Sequence, residues 1–293
     1  MNIGFIGLGM MGYPMAHLLA ASGHTLTVMD LNADMAQRFM TEHPGAKVGT
    51  SLADFSQSDI VITMLPDSNA VEAVVLGNQG LASILKGKAA IIDMSSAEPV
   101  RSRNLAQQLQ EKNIAYLDAP VSGGVKRAIE GSLAIMVGGT PEVLEKYRAV
   151  LEAMGKNITH VGPAGAGHAM KALNNYVSAA GLIAAVEALH AGQEFGLDPA
   201  VMVSVMNNST AKNNTTENKV NQFMLSGKYN SGFSLALMAK DLGIAIGLGQ
   251  SLNSPMPVGE SVLASWRQAN EMLGKGADHT EMYRFVEKLK KSS

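Results

Sequence analysis

Cysteine is absent from this 293-residue sequence, which excludes disulfide bonds, thiolate metal ligands and a cysteine nucleophile. Aromatic residues are scarce at 5%, whereas 19 methionines favour helices packed through flexible side chains. Lysine and arginine number 23 against 25 aspartates and glutamates, so a formal charge of −2 gives no basic surface for nucleic acid. No stretch approaches about 18 uninterrupted apolar residues, so we predict no membrane span.

The N-terminus carries no recognisable targeting signal. Met1 leads directly into strand-like sequence without a basic segment, so we predict no signal peptide and a cytoplasmic protein. The length favours two domains, each large enough to bury a core. The scattered histidines and carboxylates show no metal-ligand spacing, and no metal site is predicted.

A dinucleotide-binding pattern opens the chain. An apolar, strand-like run at 2–6 is followed by the motif GLGMMG at 7–12, a helical pattern, and a second strand-like run at 25–30 that ends in Asp30. A strand, a glycine turn, a helix and a strand in this order form the dinucleotide fingerprint, in which the helix N-terminus binds phosphates.

Each glycine of the motif has a physical role. Gly7 allows the tight turn, Gly9 lets the backbone approach the pyrophosphate, and Gly12 lets helix and strand pack closely. Met10 and Met11 complete the predicted cofactor loop.

Asp30 bears on the choice of cofactor. Its carboxylate can accept both ribose hydroxyls of the adenosine, and it would repel a 2′-phosphate. The following segment LNADMAQ at 31–37 has no arginine or lysine that could bind such a phosphate. We therefore predict NAD, with NADP as the less favoured alternative.

Polar and turn residues follow two further predicted strands, at 59–64 and 89–93. Ligands of parallel sheets bind beyond the carboxyl ends of the strands. The residues predicted to lie along the cofactor there are Leu65, Pro66, Asn69 and Ser96. For Ser95 and Ser96, capping of the helix predicted at 99–112 is the alternative role.

The motif DAPVSGG at 118–124 suits an anion. Ser122 adds a hydroxyl donor, and Gly123 and Gly124 expose backbone N–H groups that can form an anion-binding nest. A tight turn that needs glycine dihedral angles is an equally good local interpretation.

The stretch GAGHAMKALNN at 165–175 is predicted to carry the chemistry. It starts a long helix at about 166–195, on which Lys171 and Asn175 are four residues apart and share one face. An ammonium beside a carboxamide is suited to hold and protonate a substrate oxygen. Taken alone, Lys171 is more typical of a solvated surface lysine, and the other motifs reverse that interpretation.

Helical patterns replace strand patterns after about residue 163. The helices are predicted at 166–195, 199–207, 215–226, 234–251, 257–273 and 279–290. Lys240 and Asp241 fall within one of them, and a neighbouring pair of this kind is usually surface electrostatics of little energetic value.

Together these motifs resemble the β-hydroxyacid dehydrogenase family, which includes 3-hydroxyisobutyrate dehydrogenase and tartronate semialdehyde reductase. The motifs that carry the likeness are GFIGLGMMGYPMA at 4–16, MLP at 64–66, DMSS at 93–96, DAPVSGG at 118–124, GAGHAMKALNN at 165–175 and KDLG at 240–243. The resemblance implies an α/β Rossmann-type N-terminal domain at 1–163, similar to the NAD-binding part of 6-phosphogluconate dehydrogenase. It further implies an all-α C-terminal domain at 164–293, which builds homodimers or homotetramers.

The resemblance also implies roles for single residues. Lys171 matches the catalytic lysine and Asn175 the amide one turn later, while Asn174 lies where neighbours vary with substrate. The 122–124 loop matches the loop that holds the substrate carboxylate, and Lys240 matches a lysine that reaches back over the cofactor.

The implied reaction is hydride transfer between NAD(H) and a small β-hydroxyacid or its semialdehyde, of the 3-hydroxyisobutyrate or tartronate semialdehyde type. Reduction of another anionic aldehyde, succinic semialdehyde or sulfolactaldehyde, is the first alternative. An imine reductase and a non-catalytic NAD-binding protein are less favoured, because relatives of those kinds usually lack the residue that Lys171 matches.

Overall fold

The structure is a computed structural model that describes residues 1–85, 89–274 and 276–292. The chain forms two compact units, Met1–Lys171 and Ala172–Ser293. The domain division at residues 163 and 164 remains a prediction.

The first unit contains a mostly parallel sheet. Its nine described strands are β1 (Asn2–Ile6), β2 (Thr25–Met29), β3 (Lys47–Val48), β4 (Ile60–Thr63), β5 (Ala90–Asp93), β6 (Ala115–Asp118), β7 (Val121–Ser122), β8 (Leu133–Gly138) and β9 (Gly155–Gly162). Their order is β3-β2-β1-β4-β5-β6-β8-β7, with β9 paired to β8. The strands from β3 to β6 are parallel, in the order of a doubly wound dinucleotide-binding sheet. The predicted α/β Rossmann-type fold is confirmed.

Helices connect these strands. They are α1 (Gly12–Ala21), α2 (Ala33–Glu42), a 3₁₀ turn (Leu52–Phe55), α3 (Ser68–Leu76), α4 (Leu81–Ile84), α5 (Pro99–Glu111), α6 (Gly124–Ile129) and α7 (Pro141–Glu152). Strands β4 and β5 have the sequences IVIT and AIID and are buried at every residue. Such continuous apolar runs are typical of central parallel strands covered on both faces.

The second unit is helical. Helix α8 (Ala166–Phe195) begins in the first unit and continues into the second. It is followed by α9 (Pro199–Asn207), α10 (Asn214–Asn218), a π-helix (Val220–Leu225), α11 (Leu235–Ser251), α12 (Pro257–Leu273), a 3₁₀ turn (His279–Glu281) and α13 (Met282–Ser292). Their apolar core includes the fully buried Trp266. The predicted all-α architecture after the sheet is confirmed.

Two predicted helices are divided in the structure. The segment predicted at 215–226 comprises α10 and the π-helix, and the segment at 279–290 begins as a 3₁₀ turn before α13. The Asn213 side chain accepts hydrogen bonds from two N–H groups of α10 and so fixes its start.

Helix α8 is, by length and composition alone, apolar enough to cross a membrane. Its most apolar window has a mean hydropathy of 1.2, and 44% of that window is buried inside the protein. A single such helix is weak evidence, because the core helix of a globular protein meets the same criteria.

Candidate active site

The predicted cofactor residues follow the carboxyl ends of parallel strands. The last residues of five strands pair in register across the sheet, in the order Met29, Ile6, Thr63, Asp93 and Asp118. The predicted cofactor residues of the first unit follow four of these ends: Gly7, Gly9, Met10, Met11, Gly12, Asp30, Leu65, Pro66, Asn69 and Ser96. The topology therefore brings them to the sheet edge at which doubly wound proteins bind ligands.

The glycine loop has the packing that its predicted roles require. Gly7 has φ of 102°, and a Cβ there would lie 2.3 Å from the carbonyl oxygen of Met64. A Cβ on Gly12 would lie 1.9 Å from the carbonyl oxygen of Gly7, whereas one on Gly9 would meet no atom within 4 Å. The first and third glycines thus permit close backbone packing, and Gly9 leaves open surface for an approaching ligand.

Asp30 is fixed beside this loop by two backbone groups. Its Oδ2 accepts the N–H of Leu8 at 2.6 Å, and its Oδ1 accepts the N–H of Asn32 at 2.8 Å. An ionised carboxylate has about four acceptor positions, so both oxygens retain capacity for ribose hydroxyls. The next side chain, Leu31, is fully exposed at the same strand end.

A buried serine joins the loops after β4 and β5. Ser95 Oγ accepts the N–H of Leu65 at 2.9 Å, and the N–H of Ser95 donates to Asp93 Oδ1 at 3.1 Å. The alternative role of Ser95 and Ser96 as caps of α5 is wrong. The N-cap position is Glu98, and no side chain caps the helix from there.

Asn69 is held by a cation from a neighbouring helix. Arg101 Nη2 donates to Asn69 Oδ1 at 2.8 Å and forms an ion pair with Glu72 Oε2 at 2.6 Å. Hydrogen bonding to Arg101 lowers the pKa of Glu72, so that carboxyl stays ionised. The start of α3 is thereby tied to α5 beside the predicted cofactor residues.

The predicted anion loop has a glycine-dependent backbone. Gly123 has φ of 138° and Gly124 has φ of 69°, both in the left-handed region that favours glycine. A Cβ on Gly123 would lie 2.6 Å from Cδ of Arg127, whose side chain covers this glycine. The half-buried Ser122 ends β7, and Gly124 starts α6. Turn geometry accounts for both glycines, and anion binding by them remains a prediction.

The N-terminus of α8 is capped by a residue of β6. Asp118 Oδ1 accepts the N–H of Gly165 at 2.7 Å, and Oδ2 accepts the N–H of His168 at 2.9 Å. Burial raises the pKa of Asp118, while the nearby His168 and these two donors oppose that rise. Lys171 follows within the second turn, and only 9% of its surface is exposed. The solvated surface lysine of the alternative interpretation is therefore wrong.

In the second unit, Asn175 belongs to a buried polar pair. Its Nδ2 donates to Asp241 Oδ2 at 2.6 Å, and the two residues are 6% and 3% exposed. Lys240 Nζ lies 3.7 Å from Asp241 Oδ1, and Asn174 Nδ2 donates to Asn175 Oδ1 at 3.2 Å. The interpretation of Lys240 and Asp241 as surface electrostatics is wrong for Asp241, because α11 places its carboxylate in the interior.

Sequence reasoning gave Asp118 no role of its own and read Asp241 as part of a surface pair, whereas both carboxylates are buried. Each occupies an apolar position of its element: Asp118 ends the buried strand AYLD, and Asp241 shares the buried face of α11 with Met238 and Leu242. Aspartate is almost never fully buried unless it is paired. The sequence signal for these two buried carboxylates was therefore an aspartate at a position where the periodic pattern predicts an apolar residue.

Two protein-family models match the chain. The NAD-binding domain of 6-phosphogluconate dehydrogenase matches residues 2–162. The model described as NAD-binding of NADP-dependent 3-hydroxyisobutyrate dehydrogenase matches residues 165–286.

The relatives with curated names are dehydrogenases of hydroxyacids. The chain is 40% identical to 2-(hydroxymethyl)glutarate dehydrogenase of Eubacterium barkeri, with 88% of this chain and 85% of the relative covered. It is 38% identical to the NAD-dependent L-serine dehydrogenase of Pseudomonas aeruginosa, with 91% of each covered.

A solved structure supports the same assignment. The 3-hydroxyisobutyrate dehydrogenase of Mycobacterium tuberculosis with L-serine has a TM-score of 0.91 and 31% identity, with 97% of this chain and 98% of that chain covered. An imine reductase of Streptomyces aurantiacus, at 19% identity and a TM-score of 0.64, shares the fold alone; the match covers 98% of this chain and 99% of that chain. Because family models match both halves of the chain and hydroxyacid dehydrogenases match most of its length, the chain belongs to the β-hydroxyacid dehydrogenase family and is an NAD-dependent hydroxyacid dehydrogenase.

Proposed function

We propose that this enzyme interconverts a small β-hydroxyacid and its semialdehyde, of the 3-hydroxyisobutyrate or tartronate semialdehyde type, with Lys171 as general acid and base. One observation carries the proposal. Lys171 is buried near the start of α8, whose N-terminus is fixed by Asp118 at the sheet edge that carries the predicted cofactor residues. An enclosed lysine has a readily shifted pKa and is suited to proton transfer.

The proton chemistry belongs to Lys171. In reduction, its ammonium donates a proton to the aldehyde oxygen, and its charge stabilises the alkoxide as it forms. In oxidation, the neutral amine accepts the alcohol proton. Asn175, one turn later on the same helix, orients the substrate oxygen, and Asp241 holds Asn175 through its short hydrogen bond.

The substrate acid group is assigned to the loop of Ser122, Gly123 and Gly124. A hydroxyl and successive backbone N–H groups suit a carboxylate without a cationic side chain. Asn174, which donates to Asn175, is proposed as a further substrate contact.

The residues of the sheet edge fit a dinucleotide. Gly9 leaves open surface for phosphates, and Asp30 is fixed with acceptor capacity for ribose hydroxyls. Lys240 of the second unit is proposed to reach the cofactor. When bound, NADH supplies the hydride that the substrate carbon receives. Because the Asp30 carboxylate repels a 2′-phosphate, we propose NAD in preference to NADP.

Steady-state kinetics with a panel of aldehydes tests the substrate. The panel contains methylmalonate semialdehyde, tartronate semialdehyde, succinic semialdehyde and sulfolactaldehyde, each with NADH and with NADPH. We expect the highest kcat/KM for one of the first two, with NADH. A higher value for succinic semialdehyde or sulfolactaldehyde establishes the alternative substrate class, and a clear NADPH preference contradicts the assigned role of Asp30.

The named relatives favour a second candidate, in which the β-hydroxyacid carries an amino group or a second carboxylate. L-serine and 2-(hydroxymethyl)glutarate are the substrates in the names of two relatives at 38% and 40% identity. Oxidation of both with NAD, beside 3-hydroxyisobutyrate, distinguishes the candidates. Cyclic imines complete the panel. Their reduction would establish an imine reductase, an activity against which the buried Lys171 argues.

A homodimer or homotetramer in the cytoplasm is part of the proposal. Exposed apolar side chains on the second unit support self-association: Val177, Phe195, Val201, Val205 and Val258. Light scattering coupled to gel filtration measures the mass, and a monomer at micromolar concentration contradicts this part.

A further inference from the structure

Two histidine rings meet on the surface of the first unit. His17 is an exposed residue of α1, and His43 directly follows the last residue of α2. Nδ1 of His17 lies 3.0 Å from Nε2 of His43, and the ring centroids are 4.8 Å apart. Because 26 positions separate the two residues in the chain, no local spacing in the sequence indicates the pair. Neither ring has a role in the proposed function.

The ring of His43 is held in place by aromatic neighbours. It stacks on Phe39 with ring centroids 4.5 Å apart and an interplanar angle of 35°, and Phe39 is fully buried. Phe39 in turn meets Tyr13 of α1 edge to face, at 5.4 Å between ring centroids. Tyr13 and His17 are four residues apart on α1 and share the face that meets α2. His43 is therefore fixed, while the exposed His17 side chain can change rotamer to meet it.

The separation of the two nitrogens suits two ligands of one metal ion. Zn–N bonds of about 2.0–2.1 Å, at angles between about 90° and 109°, place two ligating nitrogens about 2.9–3.4 Å apart. The separation of 3.0 Å lies within this interval. A neutral imidazole has one proton and one lone pair, so each ring can keep its proton on the outer nitrogen and direct the inner lone pair at the ion. An N–H···N hydrogen bond has a similar length, and metal titration separates the two arrangements.

The charges beside the rings permit a cation. Burial and the neighbouring His17 lower the pKa of His43, although Glu42 opposes the shift, so this ring is neutral near pH 7. Arg38 Nε lies 2.9 Å from Glu42 Oε1, and this hydrogen bond lowers the pKa of Glu42. The ionised carboxylate thus offsets the guanidinium. Burial raises the pKa of Tyr13, whose hydroxyl stays neutral, so these neighbours present no net positive charge to a bound ion.

We propose that His17 and His43 bind one divalent transition-metal ion, of the class of Zn²⁺, Ni²⁺ and Cu²⁺, which links α1 to the end of α2. Imidazole nitrogens suit these ions, whereas Mg²⁺ and Ca²⁺ prefer oxygen ligands. The described part of the chain contains no group of three or more metal-ligating side chains, so water completes the coordination. Because only the folded chain brings the two rings together, the ion should stabilise the fold.

Isothermal titration calorimetry of the metal-free, untagged, full-length protein with ZnCl₂ at about pH 7.5 tests the site without any substrate. We expect one Zn²⁺ per chain at this site. His17→Asn and His43→Asn each remove one of the two ligands and should each raise the Kd for Zn²⁺ by about tenfold or more. MgCl₂ should produce no binding heat. The thermal unfolding midpoint of the wild type should rise with Zn²⁺, and that of His17→Asn should not.

A matched variant separates this pair from histidines in general. His160 is also exposed, and its Nε2 lies 2.8 Å from the carbonyl oxygen of Gly139, so His160→Asn should leave the Kd for Zn²⁺ unchanged. Equal Kd values for the wild type, His17→Asn and His43→Asn would overturn the proposal, and so would the absence of Zn²⁺ binding by the wild type. Either result would leave an ordinary hydrogen bond between the rings.

Nitrogen-15 NMR of the histidine rings identifies the ligating atoms and does not depend on the folding of a variant. On addition of Zn²⁺ to the wild type, we expect one nitrogen in each of two rings to take the shift of a metal ligand, while the other nitrogen of each ring stays protonated. Unchanged ring signals at saturating Zn²⁺ would overturn the proposal. Both measurements stand whatever substrate the enzyme uses, so failure of the proposed function leaves this inference untouched.

Discussion

The glycine loop, on the side of the sheet edge predicted to bind the cofactor, is shaped by close backbone packing, whereas the side that holds the start of α8 is built from buried side chains. On the first side, Gly7 lies against the carbonyl oxygen of Met64, just after β4, and Gly12 lies against the carbonyl oxygen of Gly7. Asp118 and His168 build the second side, through hydrogen bonds to residues about 50 to 70 positions distant. A close approach of two backbone segments tolerates few residue types at the glycine position. A buried hydrogen-bond network is stable only when every polar group in it has a partner.

Lys171→Ala is expected to have the largest effect, because it removes the proton donor and leaves both sides of the edge intact. We expect kcat to fall by about 10²–10⁴, the range for general acid–base catalysis, with the Kd for NADH retained. Steady-state kinetics and NADH fluorescence titration measure the two quantities. Lys212→Ala is the control, because that lysine is exposed and paired with Glu217 at 2.9 Å. Normal turnover by the Lys171 variant contradicts the mechanism.

In the second unit, Nδ1 of the buried His279 lies 2.9 Å from the carbonyl oxygen of Phe233, 46 positions away, and this contact should affect stability and not turnover. Burial lowers the pKa of His279 to about 4. The unfolded chain binds this proton near the ordinary value, about 6.5, so stability is full above that pH and falls towards pH 4, by up to about 3 kcal/mol. Urea unfolding at several pH values measures the slope. We expect the free energy of unfolding of His279→Gln to fall less steeply between about pH 6.5 and pH 4 than that of the wild type, at unchanged kcat. A slope as steep as that of the wild type would contradict this account.

Two variants of the glycine loop, Gly12→Ala and Gly9→Ala, separate the stability of the fold from the affinity for the cofactor. A Cβ at Gly12 would lie 1.9 Å from a carbonyl oxygen, so Gly12→Ala should cost about 1–3 kcal/mol of stability. Gly9→Ala meets no atom within 4 Å and should leave stability unchanged while it weakens NADH binding about tenfold. Urea unfolding measures the stability of each variant, and NADH titration measures its Kd. Equal effects of the two variants on both quantities would contradict separate roles for Gly12 in packing and Gly9 in ligand approach.

Asp241→Asn is expected to have the smallest effect. It replaces a charge-assisted hydrogen bond to Asn175 with a neutral one, a loss of about 1 kcal/mol, or about fivefold in kcat. Asp198→Asn is the matched control. Asp198 caps the N-terminus of α9, and asparagine is as effective an N-cap residue as aspartate. If the two variants have the same kcat, the buried pair does not orient the substrate.

Most of the fold follows from patterns in the sequence, because long elements have a clear period. The helices at 166–195, 199–207 and 257–273 have the predicted bounds, and the longer strands agree to within about two residues. The missed strands Lys47–Val48 and Val121–Ser122 are each two residues long and therefore carry no alternation. The helix predicted at 215–226 is divided at Lys219, between α10 and the π-helix, whose φ of −127° and ψ of −41° depart from α-helical values.

The glycine loop, the acid after β2, and the lysine and amide one turn apart on α8 could all be predicted from the sequence, because local spacing sets them. That Asp118 caps α8 and that His168 lies between two carboxylates became visible only in the folded chain. The same holds for the burial of Asp241 against Asn175. These partners are about 50 to 75 residues apart, and local spacing in the sequence cannot predict a contact that forms only when distant elements pack together.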